Sequence, residues 1–185
     1  MRDRPRQFGR ALAIAILLAS CGGCATQAFV PNPVEQSPFM QRGISQSQDG
    51  IVVTAAVPSA AEVDALIGID LYEDGIQPIW LKVENKGDSG IRVAHTSIDK
   101  EYYPPLEVSW QYRKSFSKQD RDALDLWFYD NQMPRRIAAG ETRSGFVFTH
   151  VRQGTKNFNI DIFSSQDSSH FTLSVPFPGF PPDYL

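Results

Sequence analysis

Apolar and polar residues alternate in several short stretches of this chain, and turn-forming residues separate the stretches. Residues 51–57 read Ile-Val-Val-Thr-Ala-Ala-Val and end at Pro58, a β-branched run that predicts a strand. Residues 79–84 alternate, with Ile79, Leu81 and Val83 on one face. The polar run 85–90 then predicts a hairpin or a tight corner before the strand 91–94. Residues 106–112 alternate again, and 145–149, 158–163 and 171–175 complete the set. In the last two, Phe158, Ile160 and Ile162 alternate with Asn159 and Asp161, and Phe171, Leu173 and Val175 with Thr172 and Ser174.

Two segments carry helical signals instead. Ser59 followed by Glu62 is a capping-box pattern, so 60–67 is expected to be a short helix stopped near Gly68. Ser117 and Asp120 suggest a second N-cap, with a helix over 122–129 that puts Leu124 and Phe128 on one face. One-sided alternation is the mark of an antiparallel sheet with a buried and a wet face. About seven short strands predict an immunoglobulin-like antiparallel β-sandwich with two short helical insertions. The helices leave an α+β arrangement as the alternative. A parallel α/β sheet is disfavoured, because the strands are not each followed by a helix.

The start of the chain has a different pattern. Arg2, Arg4, Arg6 and Arg10 precede an unbroken apolar run over 11–19, the order of a secretory signal. Nine apolar residues fall well short of the ~20 needed to cross a bilayer as a helix. Leu18-Ala19-Ser20-Cys21 closes the run and resembles the lipobox of bacterial lipoproteins. That resemblance implies cleavage before Cys21, a diacylglycerol thioether on its sulfur and attachment to a membrane facing the periplasm. Gly22 after the cysteine favours the outer membrane. Cys21 and Cys24 also spell C-x-x-C, but redox chemistry would require the motif beside a βαβ unit. No cysteine follows Cys24, so the folded domain must rely on its core rather than on disulfides.

The expected organisation is a signal over 1–20, a lipidated N-terminus and flexible tether over 21–49, a β-sandwich over 50–176 and a Pro/Phe-rich tail over 177–185. The tether reading rests on Pro31, Pro33 and Pro38 and on the Gln, Ser and Gly of 41–50. Four of the 18 Lys/Arg and one of the 21 Asp/Glu lie within the first 20 residues. What remains has 14 basic against 20 acidic residues, a net charge of −6. An acidic domain lacks the basic footprint that nucleic acid requires.

Candidate chemistry is sparse. Gly87-Asp88-Ser89-Gly90 resembles the nucleophile loop of trypsin-like proteases. All three histidines, His95, His150 and His170, follow Ser89, the reverse of that order, and a polar turn is the simpler reading. The histidines lack the spacing of a zinc site, and Asp70, Glu73 and Asp74 lack that of an EF-hand. No catalytic residue, metal or cofactor is therefore assigned. Among the aromatic residues, Trp80 and Trp110 are expected in the core. Tyr102, Tyr103 and Trp127 form the candidate interaction surface.

Residues 68–85, with Tyr102-Tyr103-Pro104-Pro105-Leu106-Glu107-Val108 and Gly145-Phe146-Val147-Phe148-Thr149, resemble a domain of bacterial envelope proteins that occurs with LssY-like C-terminal domains. The similarity covers most of 51–175 and implies an envelope location, but no activity and no functional residue. The expected function is a lipid-anchored, non-enzymatic module that binds another envelope protein or supports an assembly. The alternative is a periplasmic hydrolase or metal-dependent enzyme, its site assembled from dispersed residues such as His95, Asp99 and His150.

Overall fold

The computed structural model describes residues 28–176 and 178, apart from 101, 153 and 166. Eight strands form two antiparallel sheets. β1 (Ile44–Gln48), β2 (Ile51–Ala56), β3 (Ile76–Asn85) and β6 (Thr142–His150) make the first sheet, in the order β1-β2-β3-β6. β5 (Arg136–Ile137), β4 (Ile91–Ala94), β7 (Thr155–Phe163) and β8 (Ser168–Pro176) make the second, in the order β5-β4-β7-β8. Counted from β2, the first, second and fifth strands pair, and so do the fourth, third, sixth and seventh. This is an immunoglobulin-like sandwich with β1 added at one edge.

Helices enter at two points. α1 (Ala60–Ile67) lies between β2 and β3, and α2 (His95–Ile98), α3 (Pro105–Tyr112) and α4 (Lys118–Asp130) lie between β4 and β5. α1 has the predicted capping box. Ser59 accepts from the Glu62 amide at 3.2 Å, Glu62 accepts from the Ser59 amide at 2.8 Å, and Gly68 closes the helix in the left-handed region. Ser117 likewise caps α4 by accepting from the Asp120 amide at 3.2 Å.

The sandwich has two hydrophobic cores rather than one. Between the sheets lie Val53, Ile79, Leu81, Val83 and Val147 of the first sheet, against Val93, Phe158, Ile160, Phe171 and Leu173 of the second. On the outer face of the first sheet, Ile76, Trp80, Phe146 and Phe148 pack under α1, α3 and α4 through Val63, Leu66, Val108, Leu124 and Phe128. The polar run 85–90 is a corner between the sheets, since β3 and β4 belong to different ones. Asn85 holds it, its side-chain amide donating to the Ser89 and Ala138 carbonyls at 2.8 and 2.9 Å.

Four expectations are corrected. Residues 106–112 are helical, not a strand. Pro105 occupies the first helical turn, where its missing N–H costs nothing, and Val108 and Ser109 are the buried pair. Trp110 consequently faces solvent, 57% exposed, instead of joining the core. The one-sided reading of 79–84 fails at Trp80, which the helices cover, and holds from Leu81 on, where Lys82 and Glu84 are partly exposed opposite buried Leu81 and Val83. The tether fails over 28–49. Phe39 has no exposure, β1 pairs with β2, and Asp49 and Gly50, both with positive φ, form the two-residue turn between them. Residues 21–27 and most of the tail, 177 and 179–185, lie outside the described residues.

Two outcomes follow for stability. Phe39→Ala should cost ~3–5 kcal/mol in urea unfolding, as for other buried aromatic residues, whereas a true tether would tolerate it. Gly145→Ala should cost more than ~2 kcal/mol. A Cβ there would lie 2.4 Å from the backbone carbonyl carbon of Gln132, at the crossing where the exit from α4 is bonded to β6.

Candidate functional site

α3 and α4 are joined by residues 113–117 and run back along one another. The Ser109 hydroxyl on α3 donates to Asp125 on α4 at 2.7 Å, and Arg113 reaches the same carboxylate at 3.1 Å. These contacts fix the helices side by side, and 3.6-residue geometry then assigns their faces. Val108, Leu124 and Phe128 point inward, with Phe128 5.2 Å from Phe148, ring centre to ring centre. Leu106 and Trp110, one turn apart on α3, point outward, as do Leu126 and Tyr129 on α4. These four account for most of the large exposed hydrophobic side chains among the described residues. Exposed Glu107, Gln111, Lys114, Asp122 and Asp130 lie among and around them. The layer thus offers aromatic and aliphatic side chains among exposed polar residues of both charges.

The residues expected to form the interaction surface sit elsewhere. Tyr102 is half-buried against the inter-sheet core, and its hydroxyl accepts from Arg135 at 2.7 Å. Tyr103 is half-buried 4.7 Å from the His150 ring. Trp127 packs inward, edge-on to Phe128 at 5.1 Å and against Phe146 at 5.9 Å. All three brace the cores, and the exposed aromatic residues of the helical layer are Trp110 and Tyr129.

A polar cluster closes one end of the sandwich. Lys156 lies on the inward face of β7, in line with Phe158 and Ile160, and is almost fully buried. Its ammonium donates to the His150 carbonyl at 2.8 Å and stands 3.9 Å from Asp99. Asp99 also accepts from the His150 amide at 3.3 Å, and the His150 ring is 3.8 Å away. Burial pushes the Lys156 ammonium down to about 8, against the pull of Asp99.

Of the dispersed set proposed for an enzyme, Asp99 and His150 meet, and His95 does not join them. It is buried edge-on to Tyr102 at 6.0 Å, with Nε2 lacking a hydrogen-bond partner. Burial, reinforced by the charge of Arg135, drives the His95 imidazole down to about 4 despite a hydrogen bond to the Met133 backbone. His170 pairs with Asp161 at 2.6 Å on the exposed face of the second sheet.

The remaining motifs are structural. Ser89 belongs to the corner held by Asn85. Asp70 accepts from the amides of Tyr72 and Glu73, which makes the acidic run a capped turn. Among the described residues no group of three His, Cys, Asp or Glu side chains is placed to hold a metal, and no helix is long and apolar enough to cross a membrane. Cys21 and Cys24 lie outside the described residues. Models of known protein families and curated proteins give no match to this chain.

His95 generates a pH dependence of known sign. Its folded value, about 4, lies below the ordinary 6.5. The unfolded chain therefore binds the proton first, and stability falls as pH drops from 6.5 towards 4. The contribution by pH 5 is on the order of 1–2 kcal/mol. In urea titrations at pH 7 and pH 5, His95→Gln should lose correspondingly less stability between the two than wild type.

Proposed function

We propose that this chain is a lipid-anchored cell-envelope module that binds another envelope protein through the outer face of α3 and α4. The anchor is Cys21, acylated after removal of residues 1–20, and the protein faces the periplasm. The observation that carries the reading is the exposure of Leu106, Trp110, Leu126 and Tyr129 on two helices locked together by Asp125. Contiguous apolar surface with a polar border is characteristic of protein interaction sites, and Trp and Tyr are the residues most enriched there. The likeness to envelope proteins with LssY-like domains agrees with the location.

A second reading, a periplasmic hydrolase, retains one observation. His150 lies 3.8 Å from Asp99 beside a buried lysine. The exposed α3–α4 face has no part in that reading.

Crosslinking from membranes tests the proposal. The double substitution Trp110→Ser with Leu126→Ser should reduce capture of the partner at least ~10-fold, the loss expected when central aromatic contacts are removed. Its unfolding free energy should stay within ~0.5 kcal/mol per site, as for exposed positions generally. Cys21→Ser should abolish incorporation of labelled fatty acid. Undiminished labelling of that variant, or unchanged capture by the double variant, removes the corresponding half of the reading.

A further inference from the structure

The outer face of the second sheet carries a different surface, on the side of the sandwich away from α3 and α4. Arg92 on β4 and Arg136 on β5 are register partners, and both are exposed. The Val93 amide donates to the Arg135 carbonyl at 2.9 Å. That bond makes the neighbouring Arg92–Arg136 pair the kind in which ladder hydrogen bonds are absent and side chains stand closest. Like charges placed directly opposite destabilise a sheet. Among the described residues no carboxylate pairs with either guanidinium. The nearby carboxylate, Glu141, is already engaged by the Ala138 amide at 3.1 Å and by Arg143 at 2.7 Å.

Two more features turn this pair into a site. The Arg92 guanidinium lies over the Phe163 ring of β7, 5.2 Å from its centre, so its position is fixed by a stacking contact. An open trough of about 560 Å³ runs beside the row Arg136–Arg92–Phe163, with Gly90, Ala138 and Glu141 also in its lining. β5 is the edge strand of its sheet, and in a pair of this kind the backbone N–H and C=O of Arg136 point away from β4.

We propose that this trough binds an acidic polypeptide segment in extended conformation, its carboxylates on Arg92 and Arg136 and its apolar side chains against Phe163. A guanidinium fork matches a carboxylate in two parallel hydrogen bonds. The trough is much larger than one small anion needs, and the exposed Phe163 ring lies beside the arginines, which favours a chain carrying acidic and apolar residues over free phosphate. The ligand also supplies the negative charge that the opposed arginines lack. This site is independent of the α3–α4 surface and stands whether or not that surface has a partner.

The probe is an end-blocked, fluorescently labelled peptide of alternating Glu and Val, titrated into the purified full chain in detergent and read by anisotropy. The same peptide with Lys for Glu is the control, and inorganic phosphate the competitor. The Glu–Val peptide should bind at least ~10-fold more tightly than the Lys–Val peptide, and Arg92→Gln and Arg136→Gln should each weaken it by about 10-fold, the usual effect of losing a charged hydrogen bond. Without peptide, Arg136→Gln should melt at or above the wild-type temperature, since the like-charge opposition is gone and the Arg92–Phe163 contact is kept. Four outcomes would overturn the proposal. They are equal binding of the two peptides, retained binding in the double arginine variant, a lower melting temperature for Arg136→Gln, and displacement of the peptide by phosphate at matching concentration.

Discussion

Residues 76–81 of β3 have no wet face. Ile79 and Leu81 fill the space between the sheets, while Ile76 and Trp80 fill the space under the helices. A strand in this position must be covered twice, because leaving either side in water would forgo roughly 25 cal/mol for each Å² of apolar surface. The second sheet supplies one cover. The other is assembled from α1, α3, α4 and the segment containing Phe29 and Phe39, none of which belongs to the sandwich itself. The helical layer therefore exists to complete a core, and any surface it offers to partners is the reverse side of that task.

The same constraint separates what the chain discloses locally from what it does not. The cap at Ser59, the stop at Gly68, and the alternation of 158–163 and 171–175 are set by near neighbours, and each predicts its element. Residues 106–112 alternate in apolar character yet fold as a helix. Helical and strand periods are hard to tell apart over seven residues, and the arbiter is contact with Asp125, thirteen or more positions away. Pro104-Pro105 was the local sign of a helix start. In the same way, Asp49-Gly50 marks a hairpin whose first strand, Ile44–Gln48, is too polar to show as a strand by itself.

The candidate surface was half legible. With Leu124 and Phe128 on the inner face of α4, a 100° step per residue puts Leu126 and Tyr129 on the opposite side and Trp127 nearer the core. What no periodicity gives is the second helix beside it, and without α3 the exposed pair has no neighbours. The arginine trough shows a different gap. Arg92 and Arg136 are 44 positions apart, and their opposition is a property of strand register alone.

The entry of the chain into the fold has a consequence for where the protein can act. Phe29, eight residues after Cys21, is packed edge-on against Phe116, at the link between α3 and α4. With acyl chains on Cys21, as proposed, eight residues span at most about 28 Å even when fully extended. On that proposal the domain would lie within roughly its own diameter of the lipid surface, with the helical layer on the side of the attachment. Its search volume would be a thin shell over the membrane rather than the depth of the periplasm. Partners on α3 and α4 would then have to be membrane-proximal themselves, and at such a short tether length their local concentration, more than their intrinsic affinity, would set occupancy.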